Sequence, residues 1–321
     1  MEMIWCGTAS LILREQGTVI AFDPFGKLPV HGFSKKIHHI PHEKEYREAT
    51  DVFVTHGHFD HIYHIPQIYR DRRVRIYCTN APAETLEKHG IPDMEIVKIA
   101  PGWSGDVGPF HITAYQGRHC KFDLPMVFEI LRRPQAWRHF FYSLHLATMS
   151  LSYPENKEIL LYEVKLYSRQ TSREMPTVPP KGRPDGKGES EPKGALPEES
   201  TGIFGRRAKK ATELSVGREP KVGADFRIQI MGSMNLDPNV TYPTGADVLV
   251  LPLQGRSDQD EYAVQFVERL RPKLVLLDHY DDAFPPISKD VDVSGFVRNV
   301  EERLRIPCRA MKEGEILLRE S

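Results

Sequence analysis

The string VFVTHGHFDHIYHIP sets His56, His58, Asp60 and His61 in a His-x-His-x-Asp-His pattern. Residues i and i+2 of an extended segment point the same way, so His56 and His58 can grip one metal ion together. A turn at Phe59 would let Asp60 and His61 face a neighbouring point, about one metal–metal spacing away. Imidazole nitrogens and carboxylate oxygens suit Zn2+, or a similar ion such as Mn2+, Fe2+ or Ni2+, and leave a coordination position for water. The chemistry predicted is hydrolysis. A metal-bound water acidified towards neutrality would be the nucleophile, and Asp60 would act catalytically as a ligand that helps accept its proton. A histidine-rich solvated loop is the competing reading, but the run follows a strongly apolar strand and would sit at its end. Eight of the 14 histidines (His31, His38, His39, His42, His56, His58, His61 and His64) crowd into residues 31–64. The first four fall in a loop that could roof the site and are surface residues by default. His64 would cover the pocket from the start of a helix, as a packing residue or a partner of a ligand.

The elements that must carry these residues are short. SLILR, TVIAFDPF and TDVFVTHGH read as strands of a buried sheet, β-branched or aromatic-rich and bounded by turn residues. VRIYCT, ILLYEVKL, FRIQIMGS, DVLVLPLQG, KLVLLDHY and EILL supply further strands, and residues 95–119 read as two strands joined by a Gly-rich turn. Helices are expected at 83–90, with Asn80 near the N-cap, at 258–271, capped by Ser257 or Asp258, and at 288–305. Trp137, Phe140, Phe141, Leu144, Ala147 and Leu151 recur at helical spacing beside Arg132, Arg133 and Arg138. That segment is either a helix docked on the core or an interfacial helix giving peripheral membrane contact through 137–151. From Ser168 to Asp225, 15 of 58 residues are Pro or Gly, and Phe204 is the only aromatic. Such a stretch cannot bury enough apolar surface to offset its ordering entropy, so a long, largely disordered insertion is expected. The plan is one domain over 1–321, interrupted by 168–225.

Composition narrows the function. Lys plus Arg number 43 against 44 Asp plus Glu, which excludes the bulk charge of a nucleic-acid binder. Within 168–225, GRRAKK at 205–210 is the only local basic cluster. The four cysteines form no Cys-x-x-Cys pair, and no secretory leader or uncharged run of membrane-spanning length is evident, so a cytoplasmic protein is expected.

With the motif placed after a strand, the sequence resembles the metallo-β-lactamase superfamily. Within that superfamily it looks most like the branch that includes ascorbate-6-phosphate lactonase and, more distantly, the phospholipase D that releases N-acylethanolamines. WCGTASLIL, TVIAFDPF, YQGRHCKFD and LLDHYDDAFPP carry the rest of the likeness, over residues 1–130 and 226–321. The resemblance implies a four-layer αββα sandwich. It also implies one metal held by His56, His58 and His119 and another held by Asp60, His61 and His279. Asp23 matches the acidic residue that orients a histidine ligand, although a turn-initiating Asp-Pro is an equal reading. One departure stands out. Such proteins commonly carry a metal-bridging aspartate directly after the glycine ending RIQIMGS, where this chain has Ser233. Asp237 could reach back to the metals or cap a turn, so one ion or two is left open.

The function expected is a metal-dependent hydrolase acting on an ester, lactone or phosphodiester of a small, phosphorylated or lipophilic molecule. A nuclease of the same superfamily, with GRRAKK as its arm, is the first alternative, and nucleic acid is disfavoured by the charge balance. A non-catalytic metal-binding scaffold with a degraded site at Ser233 is the second. Nothing in the sequence specifies an oligomeric state.

Overall fold

The computed structural model describes residues 1–26, 42–121, 158–167, 212–213, 226–283 and 288–318, with scattered positions between 124 and 148. His31, His38, His39, Phe140, Ala147, Leu151 and the GRRAKK stretch lie outside the described residues. Met1–Ser168 and Ala211–Ser321 form one compact unit.

Two sheets build it. The first runs β10 (Thr212–Glu213), β15 (Ile316–Leu318), β1 (Glu2–Trp5), β2 (Leu11–Glu15), β3 (Thr18–Phe22), β4 (Asp51–Phe53), β5 (Arg75–Cys78), β6 (Ile96–Lys98). The second runs β14 (Cys308–Ala310), β13 (Val275–Asp278), β12 (Val248–Pro252), β11 (Phe226–Met231), β9 (Ile159–Leu166), β8 (Phe110–Gly117), β7 (Ser104–Val107). β3 to β6 are parallel neighbours, as are β11 to β14.

The central strands are apolar on both faces because both faces are covered. Alternation sends Ile20, Phe22 and Phe53 between the sheets, against Tyr162, Ile228 and Val250. It sends Val19, Ala21, Val52 and Val54 outward, beneath Tyr46, Ile62, Ile65, Ala83 and Leu86. On the other side Leu249, Leu251, Val275 and Leu277 meet Phe266, Val267, Leu270 and Phe296. The result is the expected αββα sandwich. Its register is fixed near the motif by a lateral aromatic row, in which Phe22 pairs with Phe53 and Phe53 with Tyr77. The ring centroids in that row are 5.6 and 4.3 Å apart.

Several element limits differ from the sequence expectation. The helix expected at 83–90 spans Asn80–Lys88, because Thr79, extended, is the N-cap and Pro82 is tolerated in a first turn that leaves its N–H groups unpaired anyway. The helix expected from 288 begins at Ser294. The preceding loop is held out of it by Ser288 and Asp290, which bond Asp282, and by Asp292, which accepts the Ser294 N–H. The stretch 258–271 divides into Gln259–Tyr262 and Val264–Leu270. β1, β14 and β10 were not anticipated, and residues 95–119 hold three strands rather than two. β10 pairs parallel to β15, a two-residue exception to the expectation that segment 168–225 stays off the sandwich. Among the described residues, no helix is long and apolar enough to cross a membrane.

Candidate metal centre

Every residue of the predicted ligand set sits just beyond a strand end on one edge of the sandwich. His56 and His58 follow β4, His119 follows β8, and His279 follows β13. β4 and β13 lie among parallel strands and β8 among antiparallel ones, and each delivers its residues from its carboxyl end, where loops converge over the sheet edge. Phe59–Ile62 forms one helical turn whose N-cap is His58, in extended conformation, and this turn swings Asp60 and His61 away from the His56/His58 side. His279 adopts a left-handed backbone, φ 50°, with its N–H bonded to the Thr8 carbonyl.

The side chains then gather into two groups. The ligand atoms of His56, His58 and His119 lie within 4.8 Å of one another, and so do those of Asp60, His61 and His279. The groups adjoin, with the His56 and His61 rings 3.9 Å apart.

Hydrogen bonds fix which nitrogens are available. Asp23, 1% exposed, accepts the Thr55 N–H at 2.7 Å and the Thr55 hydroxyl at 2.5 Å, and it lies 2.9 Å from His61 Nδ1. Because the Thr55 hydroxyl proton goes to Asp23, its oxygen is left to accept from His56 Nδ1 at 3.1 Å. One carboxylate thus sets the tautomer of an imidazole in each triad, directly for His61 and through Thr55 for His56. In both rings Nε2 is left with its lone pair. His119 Nδ1 donates to the Cys120 carbonyl at 2.7 Å, which frees its Nε2 likewise.

The electrostatics match. Burial, reinforced by the neighbouring imidazoles, holds His56 well below its ordinary pKa. Burial also brings His58 down to about 4, so both rings are neutral donors at neutral pH. Burial pushes the Asp60 carboxyl up, but His61 and His279 outweigh it and hold it well below the usual carboxylate range. His279 Nε2 lies 3.4 Å from Asp60 Oδ2. Among the described residues the buried His279 Nδ1 has no hydrogen-bond partner, and His56 Nε2 faces His58 Nδ1 at 3.3 Å, two ring nitrogens turned towards each other. Imidazoles with aimed lone pairs, plus one ionised carboxylate, are the donor set a Zn2+-like ion accepts.

The other expectations separate clearly. Asp23 takes up the orienting position. Ser233 Oγ accepts the Cys120 N–H at 2.9 Å and so braces the loop that carries His119. Asp237 does not join either triad: its carboxylate pairs with Arg118 at 3.1 Å and accepts the Asn239 N–H, which makes it the turn-capping residue of the two readings. His42 faces Glu313, and His64 Nδ1 accepts the Gly26 N–H while its ring packs on Phe25. Trp137, Phe141 and Leu144 are exposed, at 65, 74 and 50%.

Thr55 and Asn235 were missed. Asn235 Nδ2 donates to the His119 carbonyl at 3.0 Å. Gly232 is tied to the same network, since a Cβ there would come 2.4 Å from Thr55 Cβ and 2.7 Å from the Leu160 carbonyl oxygen.

The network makes a prediction for Asp23→Asn. An amide cannot accept from both Thr55 and His61 at the same oxygen positions, so the His61 tautomer is no longer set. Metal affinity should drop roughly 10–100-fold with the fold retained, the usual cost of losing such a partner. Competition with a chromophoric chelator measures it, and unchanged affinity would remove Asp23 from this role.

Residues 18–143 match the family described as the beta-lactamase superfamily domain. No curated protein matched the chain in sequence. Among solved structures, the chain is similar to Igni18, a metallo hydrolase of the archaeon Ignicoccus hospitalis, with TM-score 0.52 and 16% identity over 100% of this chain and 98% of that one. It is similar to the isothiocyanate hydrolase from Delia radicum gut bacteria, with TM-score 0.52 and 12% identity over 100 and 99% of the two chains. It is also similar to the metallo-beta-lactamase fold protein YhfI of Bacillus subtilis, with TM-score 0.51 and 11% identity over 98% of each. At these identities the structures speak to fold alone. The match to the beta-lactamase superfamily domain covers residues 18–143, and β9 and β11 to β15, beyond it, complete the same two-sheet sandwich.

Proposed function

We propose that the protein is a metal-dependent hydrolase that holds Zn2+ or a similar ion at His56, His58 and His119 and another at Asp60, His61 and His279. The observation that carries this reading is the pair of adjoining triads whose donor nitrogens are aimed by a single buried carboxylate, Asp23. When bound, such an ion supplies Lewis acidity and a water acidified towards neutrality. Asp60, ionised beside His279, is placed to accept the nucleophile's proton. Asp23 and Thr55 keep His61 and His56 from turning, and burial keeps the His56 ring neutral.

The substrate class we favour is a small ester, lactone or phosphodiester. Exposed Trp137, Phe141 and Leu144, with Arg132 and Arg138 close in sequence, support a lipophilic portion on that substrate or peripheral contact with a membrane surface. A similar fold serves an isothiocyanate hydrolase, so an isothiocyanate joins the compounds to try. All four cysteines are thiols and not disulfides, which supports a reducing, cytoplasmic setting.

Purified protein assayed on short- and long-chain aryl esters, lactones, bis-aryl phosphodiesters and an isothiocyanate should turn over at least one class. Chelation should abolish the turnover of at least one class and Zn2+ should restore it. The absence of any class whose turnover chelation abolishes, or metal loading with no turnover in any class, overturns the reading.

A further inference from the structure

A second constellation lies at the opposite end of β8 from His119. β7 and β8 form a hairpin in which Ser104 pairs with Thr113 and Asp106 with His111. Cross-strand partners on one face of an antiparallel pair touch directly, and diagonal neighbours stay within reach of a long side chain. The four side chains share such a face. His111 Nδ1 lies 2.6 Å from Asp106 Oδ1, and Ser104 Oγ lies 2.8 Å from His111 Nε2 and 3.0 Å from Thr113 Oγ1.

The protons in this chain can be assigned. A carboxylate accepts only, so His111 Nδ1 carries the hydrogen and donates to Asp106. In the neutral ring Nε2 is then an acceptor, and the Ser104 hydroxyl is the donor that fills it. The Thr113 hydroxyl is free to donate in turn to Ser104 Oγ. This is the order of a nucleophile, a base and an orienting acid, recognised by geometry and not by position in the chain. The face is accessible: Ser104 and Asp106 are exposed and the His111 side chain is 28% exposed. Six residues of extended strand, roughly 20 Å, separate His111 from the strand end that precedes His119, so the metal centre does not contribute to it.

We propose that Ser104 is a second nucleophile, activated by His111 and Asp106, that reacts with small activated esters independently of the metal centre. In the first step the Ser104 Oγ–carbon bond forms, the hydroxyl proton passes to His111 Nε2, and the ester's alkoxide or phenoxide leaves with that proton. In the second, water attacks the acylated serine, gives its proton to His111, and the carboxylic acid departs as Ser104 Oγ recovers its proton. Asp106 stays ionised throughout and holds the ring in the required tautomer.

The probe is a fluorophosphonate, which captures the first step by forming an oxygen–phosphorus bond with loss of fluoride. Full-length protein, with and without chelator, is labelled and the adduct mapped by peptide mass spectrometry. The expected result is an adduct at Ser104 that persists under chelation and disappears in Ser104→Ala. Its rate of formation should fall at least tenfold in His111→Gln and in Asp106→Asn, with melting temperatures unchanged. No adduct at Ser104, or equal labelling rates in wild type and both variants, overturns the proposal.

Discussion

Replacing Asp60 by asparagine is expected to lower kcat/KM for the metal-dependent hydrolysis by roughly 10²–10⁴-fold, the usual contribution of a positioned proton acceptor. Asp60 is the only anionic member of either triad, and its oxygens lie 3.4 Å from His279 Nε2 and 4.0 Å from His61 Nε2. Asparagine keeps the size and removes the charge that His61 and His279 hold in place. The His56, His58 and His119 triad is untouched, so bound metal should fall by no more than the share of the second triad. The fold should survive, because Asp60 sits in a single helical turn and is only half-buried. Steady-state kinetics beside metal analysis and circular dichroism separate these effects. Full activity at full metal content in Asp60→Asn would remove it from the chemistry.

The second large effect is structural. Phe53→Ala is expected to destabilise the protein by about 3–5 kcal/mol, the range for removing a fully buried aromatic ring. Phe53 lies at the end of β4, two residues before Thr55, and stacks at 4.3 Å on Tyr77. Phe22 is 5.6 Å away, Tyr162 meets it edge-on at 5.4 Å, and Trp103 is 6.0 Å away. Tyr162 in turn donates its hydroxyl to the Val54 carbonyl at 2.7 Å. The row therefore clamps the strand that delivers the motif, joining it to β3, to β5 and to the facing sheet. Metal affinity should weaken along with stability. Urea denaturation measures the first effect, and a loss below about 1 kcal/mol would show that the row does not hold β4.

What could be read from the sequence follows the range of the interactions involved. His56, His58, Asp60 and His61 were legible because their geometry is local, set by one strand end and one helical turn. His119 and His279 carry no local signal of ligation, and only the likeness to a superfamily singled them out. Asp23 was balanced between a turn residue and an orienting one, because its contacts with Thr55 and His61 come from 32 and 38 residues on, beyond any local pattern. Thr55 and Asn235 were illegible for the same reason. A threonine after an apolar strand and an asparagine in a loop are commonplace, and their roles depend on which strand ends the sheets bring together. Asp237 shows the converse: its neighbour in space is Arg118, whose position no local pattern predicts. Among the elements, β1 and β14 went unseen because four and three residues are too short for alternation to register. The late start at Ser294 reflects side-chain bonds to Asp282 that helical periodicity cannot reveal.

Two adjoining metal sites are tested most directly by anomalous X-ray scattering at the zinc edge from crystals of the zinc-loaded protein, wild type and His58→Ala. Two peaks are predicted in the wild type, one among His56, His58 and His119 and one among Asp60, His61 and His279. In His58→Ala the first peak should vanish. Absence of both peaks from the wild-type triads, a peak held instead by Asp237, or a first peak that survives undiminished in His58→Ala would contradict it.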